Sequence, residues 1–162
     1  MKTAPIPANE AERMADLLAL GLLDTPREPR FDTIADLAAD VFDMPRVFVT
    51  LVDRERMWWK AISGFEGDAA SRDLGFCSHA ILEPDVMVVP DAAEDPRFAD
   101  NPFVTGDFGL RFYAGVPIHG ASGQPVGALG LVDTKPRQFS DADTSRLRKF
   151  GALLDAQLAQ AK

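Results

Sequence analysis

Cysteine, histidine and basic residues are scarce in this sequence. It has one cysteine and two histidines, and its 17 Lys and Arg against 25 Asp and Glu give a formal net charge of −8. A single cysteine excludes an internal disulfide, which favours a reducing, cytoplasmic compartment. The acidic balance, without any run of Lys or Arg, argues against nucleic acid and anionic membranes as partners. We predict no metal site, because zinc needs several His or Cys ligands at recognisable spacing.

Long apolar runs are missing as well. No stretch approaches the ~18 apolar residues that a membrane-spanning helix needs, and the start of the chain, "MKTAPIPANEAERM", lacks the apolar core of a signal peptide. The 162 residues suit one domain with a sizeable hydrophobic core. The Pro- and Ala-rich start predicts a flexible N-terminus over residues 1–8, followed by a single domain over 9–162.

Hydrophobic periodicity predicts helices towards both ends of the chain. Asn9 and Glu12 have the spacing of a capping box and predict a first helix that ends near Gly21. Apolar residues at helical spacing predict a second helix over 32–42. Ser140, with Asp143 three residues later, predicts the start of a final helix.

The middle of the chain reads as strands joined by short turns. Strands are predicted over 46–53, 54–64, 110–118 and 125–133, with a short one at "VMVVPD". A short helix is predicted over 76–83, a loop at "GDAASRD", and a helical turn started by Asp95 and Pro96. Strands joined by hairpins form antiparallel sheets. The predicted fold class is therefore α+β with a single, mainly antiparallel sheet.

Six strings, in this order, resemble a bacterial GAF domain of the type found ahead of sensor histidine kinases and diguanylate cyclases. They are "ALGLLDTP", "RFDTIADLAADVFDMP", "VTLVDRERMWWK", "RDLGFCSHAIL", "VVPDAAEDPRFADNPFVTGDFGLRFYAGVPI" and "GALGLVDTKPRQFS". Together they cover nearly the whole chain. The resemblance implies a five- or six-stranded antiparallel sheet, with terminal helices on one face and a pocket of loops and a short helix on the other.

The resemblance also implies a role in cytoplasmic signal transduction. It implies a homodimer formed through the terminal helices, an unidentified small molecule in the pocket and a possible signalling protein partner. Because the family binds diverse ligands, the ligand or cofactor stays unknown. We find no kinase, cyclase or DNA-binding pattern, and we predict a sensory or regulatory binding module without its own output domain.

Two alternatives to the sensor remain. The first is a dimerisation and interaction module without a ligand. The second is a thiol redox enzyme that uses Cys77, similar to the free methionine sulfoxide reductases, which share this fold. Those reductases use several cysteines, and this chain has no second thiol to resolve an intermediate. We therefore predict that the protein is not an enzyme.

The string "FCSHAI" contains Cys77 and His79, which suggest a catalytic pair, a metal site, a chromophore attachment point or simple packing. On a helix, residues two apart point about 200° away from each other, which argues against a catalytic pair. Ser78 separates the Cys and His that chromophore-binding GAF domains place side by side. We predict no catalytic residue; Cys77 packs in the pocket wall and His79 contacts the ligand.

The remaining candidates for ligand contact come from strands and loops. Two neighbouring tryptophans in a strand point to opposite faces, so one of them lines the pocket. Arg111 either pairs with a ligand anion or forms a salt bridge to a nearby aspartate, and Asp95 either contacts ligand or caps a helix. Loop aromatics either plug the underside of the loop or form a lid. The predicted ligand site comprises Trp58, Trp59, Cys77, His79, Asp95, Phe108, Arg111 and Tyr113.

Overall fold

Six strands in one sheet, five α-helices and two short 3-10 helices (Arg72–Leu74 and Ala92–Glu94) form the fold over residues 2–160, the part of the chain that the computed structural model describes. The helices are α1 (Glu10–Ala19), α2 (Pro29–Phe42), α3 (Phe76–Ala80), α4 (Pro102–Thr105) and α5 (Asp141–Ala159), and the strands are β1 (Arg46–Val52), β2 (Arg56–Ser63), β3 (Ala69–Ser71), β4 (Met87–Val89), β5 (Phe112–His119) and β6 (Pro125–Asp133). The sheet order is β3-β2-β1-β6-β5-β4, and all neighbouring pairs are antiparallel. The predicted α+β fold class is confirmed.

The sheet separates two hydrophobic clusters. Along β1, Val47, Val49 and Leu51 belong to the larger cluster, which α1, α2 and α5 cover. Val52 belongs to the smaller cluster on the opposite face, against which Phe48 packs. This alternation follows from the two-residue period of a strand. The smaller cluster also includes side chains of α3 and of the loops around α4, so the two faces have different coverings.

The final helix begins as the sequence predicts. The Ser140 hydroxyl accepts a hydrogen bond from the Asp143 amide, and the Asp143 carboxylate accepts one from the Ser140 amide, which completes a capping box. The apolar side of α5 is buried and packs mainly on β5 and α2, through Leu147, Phe150, Leu154 and Leu158. Dimerisation through the terminal helices stays a prediction.

Two local predictions are wrong. Asn9 precedes α1 but makes no side-chain cap, because its amide donates to Gln124 Oε1 at 2.6 Å. The predicted loop "GDAASRD" contains β3, which pairs with β2 at the sheet edge. The helical turn predicted at Asp95 is confirmed: the Asp95 carbonyl accepts from the Phe98 and Ala99 amides at 2.9 and 2.8 Å, and its carboxylate accepts from the Arg97 amide. The same loop also contains α4, where the Asn101 side chain accepts from the Phe103 amide.

The N-terminal segment has no regular structure but contacts the domain. The Lys2 amide donates to the Arg97 carbonyl at 3.2 Å, and Ala4 is buried. Flexibility of residues 1–8 stays a prediction, and residues 1, 161 and 162, which the predicted boundaries include, lie outside the described part of the chain. None of the helices within residues 2–160 has the length and apolarity that crossing a membrane requires.

Candidate functional site

A cavity of about 250 Å³ lies on the sheet face opposite α1, α2 and α5. Seven of its thirteen lining residues are aromatic, and only two carry a charge. The full lining is Arg46, Phe48, Met57, Trp59, Phe65, Glu66, Phe76, Cys77, Phe103, Phe108, Leu110, Tyr113 and Val132. Small-molecule sites typically occupy ~300–1,000 Å³, so this cavity suits a ligand at the small end of the range.

Two glycines make room for the large side chains of the cavity wall. Gly67 has a φ of +142° and packs on the Trp59 ring, where an added Cβ atom would lie 2.9 Å from a ring carbon. At Gly115 an added Cβ atom would clash with the Tyr113 hydroxyl, which lies over it. The loop after β2 and the strand β5 therefore approach these rings at distances that only glycine permits.

The two tryptophans point to opposite faces of β2. Trp58 is 7% exposed and packs in the cluster beneath the helices, whereas Trp59 is half-buried and lines the cavity. The Trp59 ring makes edge-to-face contact with Phe65 at 5.1 Å between centroids. The strand period predicted this separation, and the structure identifies Trp59 as the cavity residue.

Cys77 and Tyr113 form a buried polar contact in the cavity wall. Cys77 Sγ lies 3.1 Å from Tyr113 Oη. Burial raises the pKa of the Cys77 thiol to about 11, although the hydrogen bond with Tyr113 acts in the opposite direction. Burial likewise raises the pKa of Tyr113 well above its ordinary value. Both groups are therefore protonated at neutral pH.

Four of the eight predicted site residues do not line the cavity. Trp58 faces the helices, and His79 Nε2 lies 3.0 Å from the Lys2 carbonyl oxygen, outside the cavity wall. Asp95 pairs with Arg97 at 2.9 Å. The Arg111 guanidinium donates to the Val104 and Leu110 carbonyls at 2.8 and 2.9 Å and not to an aspartate, so the predicted salt bridge is wrong, and contact with a ligand anion stays a prediction.

The other four predicted residues come together. Trp59, Cys77, Phe108 and Tyr113 all line the cavity. Their contact with a ligand stays a prediction. Cys77 and His79 are not paired, because the Cys77 thiol contacts Tyr113 while the His79 ring packs edge-on against Phe98. Burial lowers the pKa of His79, so its imidazole is neutral at neutral pH.

Sequence reasoning missed Arg46, one of the two charged residues in the lining. Its guanidinium lies over the Phe108 ring at 4.6 Å. The signal was present in the sequence, because strand alternation puts Arg46 and Phe48 on the face opposite Val47 and Val49. Glu66, the second charged residue, was also missed; it lies in the irregular loop between β2 and β3, where no periodicity applies.

Comparison with known proteins identifies the fold. The family model for the GAF domain matches residues 26–158. The chain belongs to the GAF domain family. Among solved structures, the GAF domain of the phosphoenolpyruvate-protein phosphotransferase from Acinetobacter is 18% identical with a TM-score of 0.64, covering 91% of this GAF domain and 92% of that chain. The free methionine-R-sulfoxide reductase of Neisseria meningitidis is 16% identical with a TM-score of 0.65, covering 98% and 95%.

A curated relative corrects one prediction about the GAF domain. The chain is 36% identical over 159 residues to a cyclic di-GMP phosphodiesterase of Pseudomonas aeruginosa. The match covers 98% of this chain and 27% of the relative, so the chain spans about a quarter of the relative's length. The prediction that the protein is not an enzyme is contradicted by this relative, which is an enzyme, and the structural neighbours include reductases.

Proposed function

We propose that this GAF domain senses a small molecule in its aromatic cavity and thereby regulates the hydrolysis of cyclic di-GMP. The observation that supports the sensing role is the cavity itself, whose lining includes seven aromatic residues and an arginine. Apolar cavities with few polar groups are the usual form of small-molecule sites. The second part is inferred from the 36% identity to a cyclic di-GMP phosphodiesterase.

The sheet supplies a route by which a ligand can affect the helices. Tyr113 lines the cavity, while its neighbours Phe112 and Ala114 in β5 belong to the cluster on the opposite face. The helix α5 packs on β5 from that side. A ligand that binds better to one arrangement of β5 and α5 shifts the population towards that arrangement, and a partner domain or protein responds to it.

A cavity-filling variant tests the proposed sensing role. Val132→Phe adds a ring at a lining residue, whereas Val116→Phe adds the same ring on the helix-covered face. Both changes overpack the protein and lower its stability by a similar ~1–3 kcal/mol. In a thermal-shift screen of small metabolites, we expect at least one compound to raise the Tm of the wild type and of Val116→Phe, but not of Val132→Phe.

The same variants test the proposed output. We expect the compound to change cyclic di-GMP turnover in extracts of cells that produce the wild-type chain, and to have no effect in extracts that contain Val132→Phe. A compound that binds both variants equally would mean that the cavity is not the sensing site. Binding without any change in turnover would remove cyclic di-GMP hydrolysis from the proposal.

A second candidate function is the reduction of a bound substrate by the Cys77 thiol, because Cys77 lines the cavity. We expect the native thiol to react with iodoacetamide at least ~100-fold more slowly at neutral pH than the same thiol in denaturant, since the thiolate is the nucleophile and burial raises the pKa of Cys77 to about 11. Mass spectrometry of the alkylated protein over a pH series measures this. Rapid alkylation of the native protein at neutral pH would favour thiol chemistry.

A further inference from the structure

Arginines in this acidic chain generally have carboxylate partners. Six arginines that are wholly or partly buried each form a salt bridge of 3.1 Å or shorter: Arg13, Arg30, Arg56, Arg72, Arg97 and Arg137. Arg111 is satisfied instead by two backbone carbonyls. With an excess of Asp and Glu over Lys and Arg, a carboxylate partner is the expected condition of any arginine that is not fully exposed.

Arg46 is the exception among the described residues. It is partly buried, yet its guanidinium has no carboxylate partner and no hydrogen bond within residues 2–160, and its Nε atom is buried without a partner. The Arg46 guanidinium instead packs on the face of the Phe108 ring. A buried donor without an acceptor costs about 1–3 kcal/mol, and more when the group is charged. An acceptor that reaches the guanidinium would recover part of this cost.

Arg46, with its unpaired Nε donor, is part of the cavity wall. Arg46 begins β1 and lines the cavity beside aromatic residues. The Trp59 indole N–H, in the neighbouring strand β2, is likewise buried without a hydrogen-bond partner among the described residues. The other lining residues are apolar or aromatic, apart from exposed Glu66 and the Cys77–Tyr113 pair, whose polar atoms contact each other.

The charges around the cavity favour a ligand with a single negative charge. Within residues 2–160, Arg46 is the one cationic lining residue, and Glu66 is an acidic one. The chain as a whole carries a net charge of −8, which repels polyanions such as nucleoside phosphates. The volume of about 250 Å³ lies just below the ~300–1,000 Å³ that is usual for small-molecule sites, which favours a small ligand.

We propose that the cavity binds a small aromatic carboxylate, with the carboxylate paired to Arg46 and the ring packed among the aromatic walls. The inference rests on the proposed sensing function and names the class of ligand. Arg46 supplies a planar, fixed charge that matches a carboxylate, and its stacking on Phe108 orients the guanidinium. The aromatic residues supply stacking and edge contacts for the ring.

Paired probes test the inference by isothermal titration calorimetry at neutral pH. Phenylacetate and indole-3-acetate are each compared with their uncharged amides, which have nearly the same shape. We expect at least one acid to bind the wild type about tenfold or more tightly than its amide. Arg46→Met is expected to weaken the acid about tenfold or more without changing amide binding, and Arg46→Lys is expected to restore part of the loss.

Arg54→Met is the matched control, because Arg54 is an exposed arginine in the turn after β1 and does not line the cavity. We expect it to bind both probes like the wild type.

Equal binding of acid and amide, or equal losses for both in Arg46→Met, would overturn the carboxylate inference. If the acids do not bind but another compound does, and Val132→Phe abolishes its binding, the carboxylate inference fails and the sensing function stands. If no compound binds, both fail.

Discussion

Replacing Trp58 with alanine is expected to lower the free energy of unfolding by about 3–5 kcal/mol. The Trp58 side chain is 7% exposed and packs in the main hydrophobic cluster between the sheet and the helices. Removing it deletes a large apolar surface and leaves a cavity that rigid neighbours fill only in part. Urea denaturation at equilibrium, monitored by far-ultraviolet circular dichroism, measures the loss.

Trp59→Ala is the matched variant, because it removes the same side chain from the next residue on the opposite face. Trp59 is half-buried, so we expect a smaller loss of stability, about 1–2 kcal/mol. Its main effect should be on the cavity, where losing the ring removes contact surface for a ligand. Equal losses of stability in the two variants would contradict the assignment of Trp58 to the core and Trp59 to the cavity.

Lys60→Ala is expected to lower the free energy of unfolding by about 2–5 kcal/mol. Lys60 is fully buried, and its ammonium group donates to Thr25 Oγ1 and the Pro26 carbonyl at 2.7 Å each and pairs with Glu28 Oε2 at 2.6 Å. These bonds hold the loop between α1 and α2 against the sheet. The alanine variant loses the packed stem and leaves the Pro26 carbonyl without its donor.

Two further variants separate the contributions of Lys60. Lys60→Met keeps a stem of similar length and should lose roughly half as much stability, because only the polar contacts disappear. The hydrogen bond from Lys60 lowers the pKa of Glu28, so NMR titration should find that pKa closer to its ordinary value in Lys60→Met. Lys149→Ala, at an exposed residue of α5, is the control and should change stability by less than ~0.5 kcal/mol. A similarly small change in Lys60→Ala would contradict a structural role for the buried ammonium.

The burial of Lys60 shows where strand periodicity is insufficient. The register of β1 with β2 shifts between Val49 and Thr50, because an extra residue of β2, at Lys60, forms a bulge. Lys60 lies on the same side as Trp58, and its ammonium group lies 5.7 Å from the centroid of the Phe31 ring and 5.9 Å from that of the Trp58 ring. Simple alternation over the predicted strand 54–64 gives the faces of Trp58 and Trp59 relative to each other. It does not reveal the bulge, which depends on the pairing with β1.

In the candidate site, too, periodicity assigns some side chains to a face but does not identify the partners of others. Trp59, Cys77 and Tyr113 line the cavity, and strand periodicity assigns the two strand residues to that face; their contact with a ligand stays a prediction. Arg111 and His79 were equally plausible from their positions, but Arg111 bonds to the carbonyls of Val104 and Leu110 and His79 contacts Lys2. Such partners come from distant or irregular segments, and spacing along the chain does not identify them.

The amino-acid sequence by itself determined the order of the helices and strands other than β3 and α4, the α+β class, the capping box at Ser140 and the resemblance to GAF domains, because all of these depend on local patterns. Only the tertiary structure decided which tryptophan faces the cavity, which partly buried arginine has neither a carboxylate nor a carbonyl partner, and that the Cys77 thiol contacts Tyr113. These features depend on which residues distant in sequence meet across the sheet. Packing and the partners available to each buried polar group decide that, and neither is encoded in local periodicity.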